Sequence, residues 1–434
     1  MQEDLSVSTK TVRKPPTTGT WAVRGDICVV GAGISGLSAA LEAAKAGKRV
    51  VLVDSQPQLG GQTYSSLIGC FCGFYSNGKE NYQFTHGIAD DLFRDLKACG
   101  GLYENPPKFT RVLYYNETLF LRWAETKTME AGVRILTGAT IRNVNKEGRR
   151  ITSVEAVTRY GDVTIFAEGF VDASGDAVIA WLAGMECNIP ERDAVFGSEM
   201  FLLEGIDYSV PAPTEEELTT RMTEKAGAYG LVRKKGLMFY CQPRGSIAIG
   251  NMTHVDTPLD PLRASVITIE GKDQVDSVVR FLKAEFPASF SRSTVRAYGQ
   301  TGIRQSRWIH GVQQLSVSDV RKGTKFEDAI ARSAWPVELH NHGDGYIWEV
   351  FDDDHVHYIP LKSLLSEEAD NYAACGRCID ADVAALSSVR VMGPCTATGA
   401  AAAHALILAG AGSVHDIEIG ALQAILRDNL ERRD

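Results

Sequence analysis

An α/β fold, a parallel sheet carrying an inserted second unit, is what the chain predicts, and three observations predict it. The apolar run Asp26-Ile-Cys-Val-Val30 leads straight into Gly31-Ala-Gly33-Ile-Ser-Gly36. A helical pattern follows through Leu37, Ala40, Leu41 and Ala44. A second apolar strand, Val50-Val-Leu-Val53, then ends at Asp54. Each piece has a physical task in a Rossmann-like dinucleotide turn. Gly31 makes the tight turn out of the strand, Gly33 lets backbone approach a pyrophosphate, and Gly36 lets the helix pack close to the sheet. The helix N-terminus, opening at Ile34 and Ser35, offers unsatisfied N–H groups to phosphate oxygens. Asp54, followed by Ser55, stands where a carboxylate accepts from both ribose hydroxyls and repels a 2′-phosphate. A coincidental glycine-rich turn is the simpler alternative, but the preceding strand, the small Ala40 and Gly47, and the acidic strand end all agree.

Composition narrows the rest. The 434 residues are 44% hydrophobic and 23% charged, the balance of a globular chain with a sizeable core. A net charge of −9 disfavours polyphosphate partners, so no nucleic acid is expected. Met1-Gln-Glu-Asp-Leu lacks a basic region ahead of an apolar one, so no secretory signal is read. The longest apolar stretch, Ala400 to Gly412, falls short of the ~18 residues of a membrane span and contains His404. Nine cysteines, an odd count spread over a long chain, fit free thiols in a reducing compartment, so a cytoplasmic location is expected.

Residues 1–24 read as a flexible N-terminal arm. The first part of the nucleotide unit covers 25–185, with a helix over 118–131, strands at Val133–Leu136 and Thr140–Val144, and a small antiparallel meander through 151–158 and 162–167. Phe170-Val-Asp-Ala173-Ser174-Gly175-Asp176 reads as a strand ending in a small-residue turn. From 186 to 354 the pattern becomes α+β, a substrate or cap domain. Its strands are read at Glu199–Leu203, Leu237–Cys241 and Ile247–Gly250, and its helices over 214–226 and 272–286. Residues 355–434 return to Gly- and Ala-rich turns and read as the second part of the nucleotide unit.

Six residues past Asp54 comes Gly60-Gly61-Gln62-Thr63. A glycine pair there resembles the flavoprotein version of the motif, so FAD is expected rather than NAD. Three further stretches extend the likeness: Val171 to Asp176, Gly302-Ile-Arg304-Gln-Ser-Arg307-Trp-Ile-His310-Gly311, and Tyr358 through Gly376-Arg377-Cys378 to Arg390, Met392 and Gly399. Together they resemble the FAD-dependent oxidoreductase superfamily with a glutathione-reductase-type FAD domain. Within it, the chain is similar to a bacterial group distantly akin to fumarate reductase and succinate dehydrogenase flavoproteins. The resemblance implies that backbone at Ile141 reads adenine and that Ala173, Ser174 and Gly175 lie near the pyrophosphate. It also implies that Gly376, Arg377 and Arg390 line the cofactor, and that the turn from Met392 to Thr396 starts a helix aimed at the flavin, whose partial positive charge stabilises an anionic reduced ring.

With FAD supplying the redox chemistry, the protein must hold a substrate and move one proton. Arg304, Arg307 and His310, spaced by three, share one face if helical and could present two cations and a base to an anion. A tie between cap and FAD unit is the bland alternative for both arginines. His340 is the second candidate proton carrier. The pairs His340/His342 and His355/His357 have strand spacing for a metal site, yet ordinary hydrogen bonding is the simpler reading and no metal is expected. Cys70-Phe-Cys72 and Cys375-Gly-Arg-Cys378 raise a thiol/disulfide role, although neither matches the CxxxxC of disulfide reductases. Phe71, Phe74, Tyr75 and Tyr82 suit either a pocket wall or the core.

The expected function is two-electron hydride transfer between a small polar or anionic substrate and flavin N5, of dehydrogenase or oxidase type. The alternatives are a flavin monooxygenase, a flavoprotein subunit of a larger electron-transfer complex without its own turnover, and a thiol-linked reductase. No second GxGxxG offers NAD(P)H a domain, so the electron acceptor is oxygen, a quinone or a protein, and homo-oligomeric assembly is left open.

Overall fold

The structure, a computed structural model, describes residues 9–13, 21–104, 110–190, 195–241 and 245–433. At its centre is a five-stranded parallel sheet in the order Tyr372–Ala374, Gly169–Asp172, Ile27–Val30, Val50–Asp54, Arg134–Thr137. The strands at its heart are buried on both faces, which is why they read as unbroken Val, Ile and Leu runs rather than alternating ones. The meander forms as expected: Thr140–Glu147, Arg150–Thr158 and Gly161–Phe166 pair antiparallel in sequence. Trp21–Arg24 adds a fourth, parallel strand to it. The arm read over residues 1–24 therefore ends by residue 20, and its segments 1–8 and 14–20 lie outside the described residues.

Two helices from opposite ends of the chain clamp the fingerprint. Ile34–Lys45 packs lengthwise on Met392–Ala409, a contact built from small residues: Ala39, Ala40 and Ala43 against Ala400 to Ala403. Glycines set the spacing, Gly36 within the fingerprint turn and Gly399 between the two helices. A Cβ on Gly36 would overlap the Gly31 carbonyl, and one on Gly399 would overlap the Ser35 carbonyl. Ser35 and Ser38 hydroxyls donate to the carbonyls of Cys395 (2.9 Å) and Thr396 (2.7 Å), stitching the helices together. Met392–Ala409 has 18 residues and is apolar enough to cross a membrane, longer than the sequence suggested, because Met392 to Gly399 extends the Ala-rich run. It lies mostly buried, as the core helix of this fold.

The inserted unit is an antiparallel sheet, Met238–Tyr240, Ile247–Gly250, Phe201–Glu204 and Thr294–Tyr298, backed by helices Glu215–Tyr229 and Pro261–Glu285. It has its own core around Phe201, Leu218, Met222, Phe281 and Phe290. The second helix begins eleven residues earlier than the periodicity suggested, because Asp260 caps it, accepting from the Arg263 amide at 2.7 Å, with Pro261 at its first position. The chain enters and leaves this unit on paired strands, Cys187–Asn188 and Trp308–Ile309. Leu315, Val320, Ile330 and Val337 pack in the same core as the fingerprint, so by packing the insert closes near Trp308 and not at 354.

Gly399→Ala tests the helix clamp. Helix propensity alone favours alanine by about 1 kcal/mol. The overlap with the Ser35 carbonyl reverses that, so the variant should lose about 1–3 kcal/mol in denaturant unfolding. A neutral or stabilised variant would show that the helices can separate freely.

Candidate active site

The fingerprint turn opens into a cavity of about 880 Å³ running between the parallel sheet and the inserted unit. Gly31, Gly33, Ile34 and Ser35 line it with Asp54, Ser55, Gly61, Gln62 and Thr63. So do Ile141, Ala173, Ser174, Gly175, Arg377, Arg390 and Met392. Four predicted contact positions stand behind that wall. Gly36 lets its helix sit on the Gly31 turn and Ala173, and Thr396 serves the helix clamp through its carbonyl to Ser38. Gly60 (φ 98) and Gly376 (φ 64) hold left-handed turns that bring Gly61 and Arg377 to the surface of the cavity. An adjoining open groove of about 1,230 Å³ is larger but carries none of the fingerprint glycines.

The residues at this end fit FAD. A Cβ on Gly33 would meet nothing within 4 Å, so the helix N-terminus faces open space. Asp54 is buried, with one carboxylate oxygen accepting from the Ala32 amide and the other from the Gln56 amide at 2.7 Å. Burial raises its pKa against those bonds. Gly175 turns at φ 80 directly under the Arg377 guanidinium, and buried Arg377 Nη1 has no hydrogen-bond partner among the described residues. A buried guanidinium nitrogen without a partner is costly, and a phosphate oxygen would satisfy it. Cys378 supports the same turn, its Sγ accepting from the amides of Gly175 (3.1 Å) and Ala177 (3.4 Å), and burial pushes its thiol pKa up.

The far end of the cavity has a different chemistry. Arg304, Arg390 and Lys235 line it with Glu338, Glu215, Asn251 and the aromatic residues Trp335, Tyr346 and Trp348. Arg304 is fixed by donating to the Phe196 carbonyl (2.6 Å) and Ser198 Oγ (3.0 Å). Burial, then Arg390, lowers its pKa to about 9, which leaves it charged at neutral pH. Lys235 Nζ lies 3.8 Å over the Tyr346 ring, and burial lowers its pKa. Arg233, 1% exposed, stands behind Asn251, to which it donates at 2.9 Å; its Nε and Nη2 have no partner among the described residues. Burial works against the Glu338 charge, but His340, Arg390 and Arg304 outweigh it and hold the carboxyl down at about 2. Four cations thus face two carboxylates.

The structure separates the four residues expected to do chemistry. Arg304 lines the cavity. Arg307 does not; its Nε donates to the Asp176 carbonyl at 3.0 Å and its guanidinium stacks on Trp181, so it ties the insert to the Gly175 turn. His310 is exposed, outside the cavity, with its amide donating to the Glu186 carbonyl, which removes it as the base. His340 lies fully buried one layer back, 3.0 Å from Glu338 Oε1. Burial, then Arg304, pushes it down to about 2. Phe71 and Phe74 are core residues stacked among Phe93 and Tyr115, Tyr75 stacks on Phe93 and Tyr82 packs on Phe84, so none forms the pocket wall. Cys70 and Cys72 do line the cavity, 3.6 Å apart, and the Cys70 contact with burial raises Cys72 well above a reactive thiol. Sequence reasoning missed Glu338, although it stands two residues before His340 on one strand and so on the same face. Lys235, Asn251 and Tyr346 come from distant segments and left no local signal.

A glycine turn on a parallel sheet, a buried aspartate at the end of the next strand and a guanidinium nitrogen without a partner together suit a dinucleotide. The chain belongs to the FAD dependent oxidoreductase family, whose pattern matches residues 26–426. FAD is its cofactor. It is 27% identical over 164 residues to the NADH:fumarate oxidoreductase of Klebsiella pneumoniae (strain 342), covering 32% of this chain and 17% of that protein. It is 29% identical over 170 residues to the thiamine thiazole synthase of Aeropyrum pernix, covering 36% of this chain and 57% of that one. These matches span less than two thirds of either relative. The fold is shared with a geranylgeranyl bacteriochlorophyll reductase-like protein from Thermoplasma acidophilum, at a TM-score of 0.51 and 13% identity over 95% of this chain and 85% of that one.

The buried imidazoles carry a pH signature. Burial, the largest cause in each, lowers His254 to about 3, His340 to about 2 and His357 to about 3. In the unfolded chain each takes a proton near pH 6.5, so their stabilisation is full above that pH and is lost as pH falls toward 3. The Tm of the protein should drop steeply between pH 6.5 and 4, and a flat profile there would contradict the burial.

Proposed function

We propose that this enzyme oxidises or reduces a small anionic molecule, a carboxylate, by two-electron transfer with FAD in the cavity. The observation that carries the reading is the excess of cations at the end of the cavity away from the fingerprint, half-buried Arg304, Arg390 and Lys235 lining it and buried Arg233 behind them. Unpaired buried cations are costly, and a substrate carboxylate would neutralise them. Arg304, already fixed by Phe196 and Ser198, presents its charge without further ordering, and Lys235 and Arg390 flank it. Trp335, Tyr346 and Trp348 supply apolar wall that excludes water. FAD supplies the hydride chemistry, through flavin N5. The name of the Klebsiella relative includes fumarate, a small dicarboxylate, and a substrate of that charge suits this cluster.

The cofactor set read from the sequence is proposed as the FAD contact set for the residues that line the cavity, with Arg377 on the pyrophosphate. Electrons leave to, or arrive from, oxygen, a quinone or a partner protein, and a cytoplasmic location accords with nine free cysteines.

The test is anaerobic bleaching of the bound flavin by a panel of small carboxylates and their neutral amides. Carboxylates should bleach it and amides should not; equal behaviour would end the anionic reading. Arg304→Met should weaken carboxylate binding about 10–100-fold, the worth of a charged hydrogen bond, with flavin content unchanged. Cys70→Ser and Cys72→Ser should retain turnover, and loss in either would favour a thiol-linked reductase instead.

A further inference from the structure

Glu338 begins a line of buried contacts that runs from the cavity into the protein. Its Oε1 lies 3.0 Å from His340 Nε2. His340 Nδ1 lies 3.3 Å from His254 Nε2, and His254 Nδ1 lies 3.1 Å from the Gly343 carbonyl oxygen. The two imidazoles are 0% and 2% exposed, so water cannot substitute for a missing partner. Each of the three contacts needs one hydrogen to be attractive. The carbonyl and the ionised carboxylate at the two ends can only accept, and two neutral imidazoles carry only two hydrogens. The line is one proton short.

A second histidine pair in the same protein shows the difference. His355 Nε2 lies 3.1 Å from His357 Nδ1, His357 Nε2 lies 3.0 Å from Ser388 Oγ, and that hydroxyl donates to the Trp335 carbonyl. There the serine supplies a third hydrogen, and His355, which has a further backbone bond to Val320, is only half-buried, so water can serve where a hydrogen is lacking.

The position of the vacancy follows from the ends. Gly343 must be given a hydrogen, so His254 carries its proton on Nδ1 and accepts at Nε2 from His340 Nδ1–H. His340 Nε2 is then a lone pair facing the Glu338 carboxylate, at the contact that opens on the cavity. The charges around it keep a further proton away. Arg304, Arg390 and Arg233 bear on the line directly, and Lys235 sits over Tyr346, whose ring stacks on His340 at 4.6 Å. On the other side stand Glu215 and the neutral thiol of Cys72.

We infer that an anion bound at Arg304, Arg390 and Lys235 draws one proton into the Glu338–His340 contact, making Glu338 the acid that protonates the substrate during its reduction. The inference rests on the anionic-substrate reading. In that direction the substrate gains a hydride, with its electron pair, from reduced FAD and the proton from Glu338, which returns to a carboxylate beside neutral rings. In oxidation Glu338 receives the proton, and the line releases it when the anion leaves. His340 and His254 are positioning residues, holding the proton where Glu338 can deliver it.

The test is calorimetric titration of the FAD-loaded protein with malonate and with sulfate, in two buffers of different ionisation enthalpy, at pH 6 and pH 8. The difference between buffers gives the protons taken up per anion bound. Uptake should approach about one proton at pH 6 and be smaller at pH 8. It should vanish in Glu338→Gln, whose amide N–H fills the vacant contact, while anion binding persists, and His340→Gln should behave alike. Wild-type binding without uptake at either pH overturns the inference and leaves the anionic reading standing, as does unchanged uptake in Glu338→Gln. The wild-type measurement decides even if both variants misfold. If neither anion binds, the anionic reading fails first and this inference falls with it.

Discussion

Everything in this structure depends on how closely the helix after the fingerprint can approach the helix that closes the chain. Ser35 and Cys395 are far apart in sequence, yet their segments touch backbone to side chain, because Gly399 presents no Cβ to the Ser35 carbonyl. That contact brings the Gly31–Gly33 turn and the Met392 helix start to one cavity. It also explains an apolar helix that by length could have spanned a membrane: its small residues are shaped for another helix. Gly393 repeats the device, its amide donating to the Cys72 carbonyl at 2.9 Å and fixing the strand that carries Cys70.

From this frame the cavity acquires two electrostatic ends by different means. At the fingerprint end charge is handled by backbone: amides of Ala32 and Gln56 hold Asp54, and the Gly175 turn leaves Arg377 one nitrogen to offer. At the insert end it is handled by side chains from five separate segments, around residues 215, 233–235, 304, 338–346 and 390. Backbone donors stay where the fold puts them, whatever the ligand. Side-chain charges in low dielectric respond to one another, so occupying the site changes the protonation of its neighbours. Fixed donors suit a resident dinucleotide, and responsive charges suit a ligand that exchanges.

This division also determines what could be read from sequence. The fingerprint end was legible because each requirement is local: a turn needs Gly31, a close approach needs Gly33, and a ribose acid must fall at a strand end. The meander was legible for the same reason, through alternation within each strand. The helix over Pro261–Glu285 was cut short because its period was read without its Asp260-Pro261 start. At the insert end, locality fails. The three-residue spacing of Arg304, Arg307 and His310 suggested one face, but the chain there is not helical, so only Arg304 reaches the cavity. His340 was legible as a residue and illegible as a role, since what matters about it is the carboxylate before it and the ring of His254 beyond it.

The histidines show why a residue's chemistry belongs to its contacts and not its type. His357 and His340 are equally buried, both kept neutral by desolvation, and each sits in a line of contacts. One line runs from a hydroxyl, which can both give and take a hydrogen, to half-buried His355, where water can supply what is missing. The other ends on a carboxylate facing the cavity, and it closes only with a proton from outside. A serine in place of Glu338 would make the second line as inert as the first. The glutamate leaves a vacancy whose filling responds to the net charge of the cavity, and on the proposed reading that response would couple an anion's arrival to a proton.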